Sequence, residues 1–318
     1  MSEVVRVGVI GCGFWGKNHL RVYSELENVE LVAAADIDRD RLKFVEKRYG
    51  IETYEDYKEM LKRKDIDALS ICTPSITHAE IALDSVRAGK HILVAKPMTT
   101  TVEDGLKLIE AAEEQGVILL VDHIERFNPG VQRVKEYIEA GKVGKVVLIS
   151  SKRVSRWPVR IGDVGVVKDL AIHDVDIMRF LTNKDPIEVY AISGRIHHRY
   201  EDYANIILKF KDLPTAFIEV NWLTPKKTRK LIVTGSDGII TLDYITQEIT
   251  IANSEGAYTP ATTWSEPLKR ELSHFIKVIL GKEKPIVNGR DGLLAVYICE
   301  MILKSATEGN VLELKPPI

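Results

Sequence analysis

Apolar residues follow two alternating periodicities along the first 122 residues of the chain. Short β-branched runs carry almost no charge, as expected of strands that are buried on both faces of a sheet. Amphipathic stretches separate these runs, and three of them end at glycine, the residue favoured where a helix terminates. Strand–helix–strand alternation implies right-handed crossovers and therefore a doubly wound parallel sheet of the Rossmann type. The predicted strands are residues 4–10, 29–35, 68–72, 91–95 and 117–121, the helices include 40–49, 77–88 and 101–115, and the glycines are Gly50, Gly89 and Gly116.

The pattern changes after Asp122. Longer alternating runs separated by turn signals such as Ser236-Asp237-Gly238 indicate hairpins rather than crossovers. Residues 123–318 are therefore predicted to form a second, α+β domain with a mainly antiparallel open sheet, and its terminal helix is expected to be able to pack back on the first domain. The predicted strands are residues 187–197, 203–210, 215–222, 230–234 and 239–251, and the predicted helices are 128–140, 168–181, 268–280 and 292–307.

Charge and cysteine usage narrow the partners of this 318-residue chain. Its 44 Lys plus Arg against 46 Asp plus Glu leave a formal net charge of −2, which argues against a nucleic-acid or anionic-membrane binder. Its three cysteines are widely spaced and include no CxxC pair, so a reducing, cytoplasmic location is expected. No targeting or membrane-spanning stretch is predicted, and scarce glutamine with abundant Glu, Lys and Arg is typical of heat-adapted proteins.

A glycine-rich loop follows the first predicted strand and opens a helix. Gly11, Gly13 and Gly16 form a GxGxxG motif that also contains Phe14 and Trp15. The glycines permit a tight turn and close approach of the backbone to a pyrophosphate, and a helix N-terminus offers unpaired N–H groups to the phosphates. This context predicts a dinucleotide site.

Asp36, twenty residues beyond Gly16, is placed to choose between cofactors. A carboxylate at the end of the second strand accepts hydrogen bonds from ribose hydroxyls and repels a 2′-phosphate, so NAD is predicted over NADP. Arg39 and Arg41 lie nearby and would partly offset that repulsion.

Three further residues suit alcohol oxidation. Lys96 follows the fifth strand, at the sheet edge where open α/β sheets bind ligands. Asp169 and His173 are four residues apart in a predicted helix and so share a face, on which a carboxylate can orient an imidazole as a general base. The alternatives are a solvated lysine and an ordinary surface pair. A metal site at Asp169, His173 and Asp176 lacks a clear further ligand.

Taken in order, these motifs resemble the Gfo/Idh/MocA oxidoreductase family across essentially the whole chain. The resemblance rests on residues 11–16 with His19, the Cys72-Thr73-Pro74 turn, His78, Lys96-Pro97 and the Asp169-x-x-x-His173 pair. It implies a catalytic group of Lys96, Asp169 and His173. The cofactor site that it and the loop imply comprises Gly11, Gly13, Phe14, Trp15, Gly16, Asp36, Arg41, Thr73, Pro74, His78, Lys96 and Pro97, and no metal.

Two residues depart from the family pattern. Ala95 stands where the family usually has the glutamate of a Glu-Lys-Pro motif, and Asp122 stands where related sequences often have glycine. Both departures fall beside the expected nicotinamide pocket, and the first puts the orientation of Lys96 in question.

Within the family, residues 123–129, 169–176 and 221–227 resemble the branch that oxidises C3 of UDP-N-acetylhexosamines. A nucleotide-sugar substrate needs cations for its diphosphate and an aromatic platform for its base. Two basic clusters of the second domain are candidates for this role, and Trp157 and Trp222 lie within or beside them. The segment with Arg153 and Trp157 would alternatively close over the nicotinamide or a neighbouring subunit's cofactor. The implied substrate residues are Lys96, His123, Arg126, Asn128, Arg153, Trp157, Arg160, Asp169 and His173. The basic clusters are Lys152, Arg153, Arg156 and Arg160, and Lys226, Lys227, Arg229 and Lys230.

Two other functions stay open at this point: an inositol, polyol or free-sugar dehydrogenase of the same family, and a non-catalytic protein that senses NAD or a ligand. The second-domain strands carry apolar residues, such as Ile206 and Phe217, on a sheet face without predicted helices. Such a face usually meets another subunit, so a homodimer or homotetramer is expected.

Overall fold

The computed structural model describes residues 4–158 and 162–317. The chain divides into two compact units, Met1–His123 with Leu268–Leu293, and Ile124–Pro267 with Leu294–Ile318. The predicted second domain included residues 268–293, whereas these residues cluster with the first unit. The reason is local packing, since a Cβ at Gly292 would overlap Val121 and one at Gly289 would overlap Leu119.

The first unit is built on a parallel sheet. Over the described residues its strand order is β3-β2-β1-β4-β5-β6, and every pairing is parallel. The predicted doubly wound Rossmann sheet is confirmed. Its elements are β1 (Val5–Ile10), α1 (Phe14–Glu25), β2 (Val29–Ala35), α2 (Arg39–Tyr49), β3 (Glu52–Tyr54), α3 (Tyr57–Leu61), β4 (Ala68–Ile71), α4 (His78–Arg87), β5 (His91–Ala95), α5 (Val102–Gln115), β6 (Leu119–Asp122) and α8 (Pro267–Ile279), with the first residues of α9 (Gly289–Glu308).

Helix ends in this unit follow the sequence signals. The Asp38 carboxylate accepts from the N–H of Asp40 and Arg41 at the start of α2, and the Thr101 hydroxyl accepts from Asp104 N at the start of α5. Gly50 and Gly116 end the same two helices with φ of 64°, in the left-handed region that glycine adopts without steric cost.

The second unit is built on a mixed, mostly antiparallel sheet. Within the described residues its order is β14-β13-β12-β11-β7-β10-β9-β8-β15, and only β7 and β10 pair in parallel. The predicted α+β domain is thus confirmed. The elements are α6 (Pro129–Glu139), β7 (Val146–Arg156), α7 (Ile172–Thr182), β8 (Pro186–Gly194), β9 (Tyr203–Phe210), β10 (Thr215–Asn221), β11 (Leu223–Gly235), β12 (Gly238–Asp243), β13 (Ile249–Asn253), β14 (Gly256–Tyr258), β15 (Leu312–Glu313) and the remainder of α9.

Two features of this sheet differ from the prediction. β7 was not anticipated as a strand, although it lies near the centre of the sheet between β11 and β10. The single strand predicted at residues 239–251 is two strands, β12 and β13, because Asp243 binds the N–H of Ile245 and Thr246 and closes a turn.

One face of the second sheet is covered and the other is open. α6, α7 and α9 contribute Val134, Val175 and Ile302 to a buried core with strand residues such as Ile218 and Leu231. On the opposite face Ile192 and Phe217 remain 53% and 43% exposed. They line a shallow depression of about 480 Å³. None of the helices in the described part of the chain is long and apolar enough to cross a membrane.

Candidate active site

The glycine loop between β1 and α1 leaves no room for side chains at two of its positions. Gly11 has φ of +89°, and a Cβ there would overlap the backbone of Cys72 and Thr73. A Cβ at Gly16 would overlap the Gly11 carbonyl. The loop therefore leads directly into the N-terminus of α1 with little side-chain bulk in front of it. Backbone N–H groups in this arrangement bind the pyrophosphate of a dinucleotide. Burial and the negative charge of Asp36 raise the pKa of the Cys12 thiol to about 12, so this cysteine fills space in the loop and is not reactive.

Asp36 is buried at the end of β2 and is tied to the loop. Its carboxylate accepts from Cys12 N at 2.6 Å and from Asp38 N at 2.8 Å. The half-exposed Arg41 guanidinium lies 3.4 Å from the same carboxylate, whereas Arg39 pairs with Glu55 at 2.7 Å. Arg41 is therefore the cation beside the expected ribose site, and Arg39 points to a different partner.

His78 joins two turns at the carboxyl edge of the parallel sheet. Its ring nitrogens lie 2.8 Å from Pro97 O and 2.9 Å from Thr73 O. Carbonyl oxygens only accept, so a neutral imidazole can satisfy one of them and the cationic ring satisfies both. The half-buried Lys96 directly follows β5 and precedes the cis bond to Pro97, so the turn that His78 anchors is the one that carries this lysine.

The two departures from the family pattern are neighbours in space. Asp122 pairs in register with Ala95 across β5 and β6. Its buried carboxylate lies 3.6 Å from His19 Nε2, and Glu271 of α8 is a further buried neighbour. Burial acts to raise the pKa of Asp122, but His19 and Glu271 outweigh it and hold the pKa below the usual range. The strand beside residue 95 thus carries a buried carboxylate.

In the second unit, Asp169 lies in a π-helical turn rather than in a regular helix. The π turn spans Val167–Ala171 and leads directly into α7, where Ile172 N donates to Val167 O. Asp169 is buried, and His173 follows four residues later, half-buried, in the first turn of α7. Single π turns inside helices are frequently found at functional sites. The structure therefore places the predicted pair on one continuous helical segment.

A buried ionic network lies beside this segment. Arg153, 1% exposed, donates to Asp174 at 2.9 Å and to Glu125 at 2.8 Å, and its guanidinium lies over the Tyr244 ring at 4.8 Å. Burial raises the pKa of Asp174 even though Arg153 opposes the rise. The sequence analysis assigned no role to Glu125 or Asp174. Their pairing with Arg153 joins residues that are far apart in the sequence, so no local pattern reveals it.

Two other predicted substrate residues, Arg126 and Asn128, form hydrogen bonds to groups within the second unit. Arg126 binds Asp176 through two hydrogen bonds of 2.8 and 2.6 Å. Asn128 accepts from Gly130 N at the start of α6 and donates to Tyr244 O. Asp176, considered above as a metal ligand, thus binds an arginine. Substrate contacts by Arg126, Asn128, Arg153 and the buried His123 stay predictions, and Arg160 lies outside the described residues.

Strand geometry divides the two basic clusters. Lys152 pairs with Glu219 at 3.0 Å and, with Lys230, lines the depression on the open face. Arg153 and Arg229 pair in register on the covered face, where Arg229 NH1 lies 3.7 Å from Glu125. Lys227 and Arg229 influence each other: the charge of Arg229, with burial, lowers the pKa of Lys227. Neither cluster is therefore one continuous patch.

Arg229 also interacts electrostatically with the predicted catalytic carboxylate. Burial and then the Arg153 charge lower the pKa of Arg229, while Glu125, Asp174 and Asp169 act in the opposite direction. Arg229 thus adds positive charge near Asp169.

Trp157 and Trp222 do not form two separate platforms. Both pack edge-on against His198, at centroid distances of 4.8 and 5.3 Å. Trp222 is buried, whereas Trp157 is 42% exposed, so only Trp157 offers ring surface to a ligand. His198 was not predicted, since an isolated histidine between strands carries no distinctive signal.

Family models match both halves of the chain. The model described as an oxidoreductase family with an NAD-binding Rossmann fold matches residues 5–123, and a Gfo/Idh/MocA C-terminal domain model matches residues 131–241.

Individual relatives share less than a third of their residues with this chain. The chain is 28% identical to the myo-inositol 2-dehydrogenase of Thermotoga maritima over 99% of this chain and 100% of that protein. It is 26% identical to the UDP-N-acetylglucosamine 3-dehydrogenase of Acidithiobacillus ferrooxidans, covering 80% of this chain and 79% of that one. A levoglucosan dehydrogenase in complex with NADH and levoglucosan superimposes with a TM-score of 0.91, at 22% identity, over 99% of this chain and 100% of that one. At that identity the superposition shows the fold alone.

Proposed function

Because this chain belongs to the Gfo/Idh/MocA family of NAD-binding oxidoreductases, we propose that it oxidises C3 of a UDP-N-acetylhexosamine. The chain is an NAD-dependent dehydrogenase that acts on the CH–OH group of a sugar or polyol. The proposal concerns which alcohol it oxidises and which residues carry out the reaction.

Three side chains divide the work on the reacting hydroxyl. His173 takes its proton as the general base, and Asp169, one turn earlier, orients the imidazole and favours its charged form. Lys96 hydrogen-bonds the hydroxyl oxygen and steadies the charge that develops on it. NAD, when bound, accepts the hydride that leaves the ring carbon, and the product is a 3-keto sugar.

One observation carries the choice of a nucleotide sugar. Arg229 pairs in register with the buried Arg153, and the Arg229 charge, with burial, lowers the pKa of Lys227 two residues away. Two mutually repelling cations are relieved by an anion, and a diphosphate supplies one in a geometry that arginine binds well. The exposed ring of Trp157 is a candidate surface for the base.

The test is a nicotinamide-absorbance screen, begun after establishing whether the protein purifies with NAD bound. The panel holds UDP-N-acetylglucosamine, UDP-N-acetylgalactosamine, myo-inositol, scyllo-inositol and free hexoses. Turnover on a UDP-sugar at least about tenfold above every neutral compound, a difference near 1.4 kcal/mol, supports the proposal. Equal or higher turnover on inositol contradicts it.

The catalytic roles are tested separately with two substitutions. Lys96→Ala and His173→Ala should each lower kcat by about 100-fold or more, because each removes a group that acts on the hydroxyl proton or oxygen. Both variants should still bind NAD, as followed by fluorescence titration. Lys107→Ala, on the exposed side of α5 where Lys107 pairs with Glu103, is the control and should retain full turnover.

Inositol oxidation is the second candidate, and a specific finding favours it. The inositol dehydrogenase relative covers the full length of both chains, whereas the UDP-N-acetylglucosamine dehydrogenase relative covers about four-fifths. A neutral polyol, however, would bring no negative charge of its own to Lys227 and Arg229. The substrate screen decides between the two.

We also propose that the open face of the second sheet binds a second copy of this chain. Ile192 and Phe217 supply exposed apolar area there, and Glu219 lies beside Lys152 and Lys230. A face that carries both charge signs around an apolar centre can complement itself across a two-fold axis.

A further inference from the structure

The π turn that carries Asp169 needs support from outside its own helix. Its backbone departs from the regular i→i−4 pattern, since Ile172 N reaches back five residues to Val167 O. The first N–H groups of any helix also lack partners within it. Such a turn keeps one geometry only where neighbouring groups bind those N–H groups.

Glu201, in the connection between β8 and β9, supplies that support twice. Its side-chain Oε1 accepts from Val167 N at 3.0 Å, and its backbone carbonyl accepts from Val166 N at 2.9 Å. The carboxylate lies directly over Gly165, where a Cβ would overlap it. Gly165 O in turn accepts from Asp169 N at 3.0 Å. Glu201 thus holds the two residues that begin the segment and touches the residue that binds Asp169.

The Glu201 carboxylate is well suited to this place. Burial raises its pKa, while the Val167 N–H and the positive charges of Lys168 and His198 act to lower it. An anion at a helix N-terminus is favoured, and its hydrogen bond to a backbone N–H is stronger than one between neutral groups. The adjoining residue is fixed to the sheet, since Trp222 N donates to Asp202 O at 2.9 Å.

We propose that Glu201 is a positioning residue for the reaction, which fixes the π turn so that Asp169 holds His173 in its working orientation. This inference rests on the proposed roles of Asp169 and His173. Glu201 itself does not take part in proton or hydride transfer.

Three single variants test it. Glu201→Ala should lower kcat by about 10- to 100-fold, as expected when a reacting group is displaced by about 1 Å, and leave the KM for NAD within about twofold. Glu201→Gln keeps an oxygen that accepts from Val167 N and should restore kcat to within about threefold of the parent. Asp56→Ala removes a comparable cap, which binds Lys58 N at the start of α3 in the first unit, and should leave kcat unchanged.

A double-mutant cycle with Gly165 tests the same geometry from the other side. Gly165→Ala should push the carboxylate away and lower kcat as Glu201→Ala does. In Gly165→Ala/Glu201→Ala that overlap is gone, so the double variant should lose no more than Glu201→Ala alone. Additive losses would overturn the shared geometry.

The outcomes separate this inference from the proposed function. If Asp169→Asn and His173→Ala abolish turnover while Glu201→Ala retains it, the positioning role is wrong and the catalytic pair stands. If Asp169→Asn and His173→Ala retain turnover, the proposed function itself fails. A loss in Glu201→Ala that Glu201→Gln does not restore, or that Asp56→Ala matches, overturns the positioning role.

Discussion

The two faces of the second unit's sheet treat neighbouring cations in opposite ways. Lys152 and Lys230 pair in register on the open face, where Lys152 is about half exposed and bound to Glu219. Arg153 and Arg229, one residue away in the same strands, pair on the covered face, where Arg153 is 1% exposed. Neighbouring basic residues in the sequence therefore have two different environments. The lysines lie on the open face, whereas the arginines belong to a buried ionic network.

The largest expected effect is on the free energy of unfolding, when a buried carboxylate of the covered face is removed. Asp174→Ala leaves the buried Arg153 with Glu125 as its remaining close carboxylate and should lower the free energy of unfolding by about 3–5 kcal/mol. Urea denaturation of the purified protein measures this. A loss below about 1 kcal/mol would show that water reaches Arg153 and that the covered face is not dry.

The open face should show its importance in assembly. Phe217→Lys places a charge at the centre of the exposed apolar area and should raise the dissociation constant of the oligomer by about 100-fold, near 2.7 kcal/mol. Light scattering across a dilution series measures it. Phe44→Lys, on α2 with similar exposure, is the control and should not change the mass. A parent protein that is monomeric at all concentrations would rule out this interface.

Substrate affinity should distinguish two lysines three residues apart. Lys227→Ala should raise the KM for the UDP-sugar by about tenfold, near 1.4 kcal/mol, and Lys230→Ala on the open face should not. Because the Arg229 charge and burial lower the pKa of Lys227, it loses its proton at a lower pH than an ordinary lysine. The KM should accordingly begin to rise below the pH at which an ordinary lysine loses its proton, and this rise should vanish in Lys227→Ala.

The smallest effect belongs to the exposed ion pair. At dilutions where the chain is monomeric, Glu219→Ala should change the free energy of unfolding by less than about 1 kcal/mol, because water and salt screen its interaction with Lys152. A double-mutant cycle with Lys152→Ala measures the coupling energy between Glu219 and Lys152. A coupling energy above about 2 kcal/mol in the monomer would mean that water does not screen this pair within a single chain.

Local signals were sufficient for the glycine loop and five of the strands of the first unit, whereas β3 and the membership of residues 268–293 were not predicted. The strand before Gly11, the helix after Gly16 and the glycines at positions 50 and 116 each act on their immediate neighbours, so the sequence contains what is needed to predict them. Lys96 was correctly expected at the end of β5 for the same reason. Parallel strands place their carboxyl ends at one edge, whatever lies farther along the chain.

The second unit depended on long-range partners that no local pattern records. β7 mixes polar and apolar residues because its charged positions are satisfied by Glu219, Asp174 and Glu125 from other elements, and this hides its strand periodicity. The π turn around Asp169 was predicted as plain helix, since the groups that stabilise it come from Glu201 in a distant connection. The missing information was therefore which distant carboxylates bind the cations of β7 and the backbone N–H groups of the π turn.

The packing of Gly292 against Val121 and Met98 bears on how the protein is made. The nucleotide-binding half is encoded first, but its core closes only with residues 268–293, so the ribosome must complete most of the chain before that half can finish folding. Until then Val121 and Met98 would lack the cover that the Gly292 segment provides, and we expect this apolar surface to attract chaperones. Chains stopped after residue 267 should bind apolar dyes that the whole protein excludes, and a truncated form that excludes them would show that the early residues close a core without help.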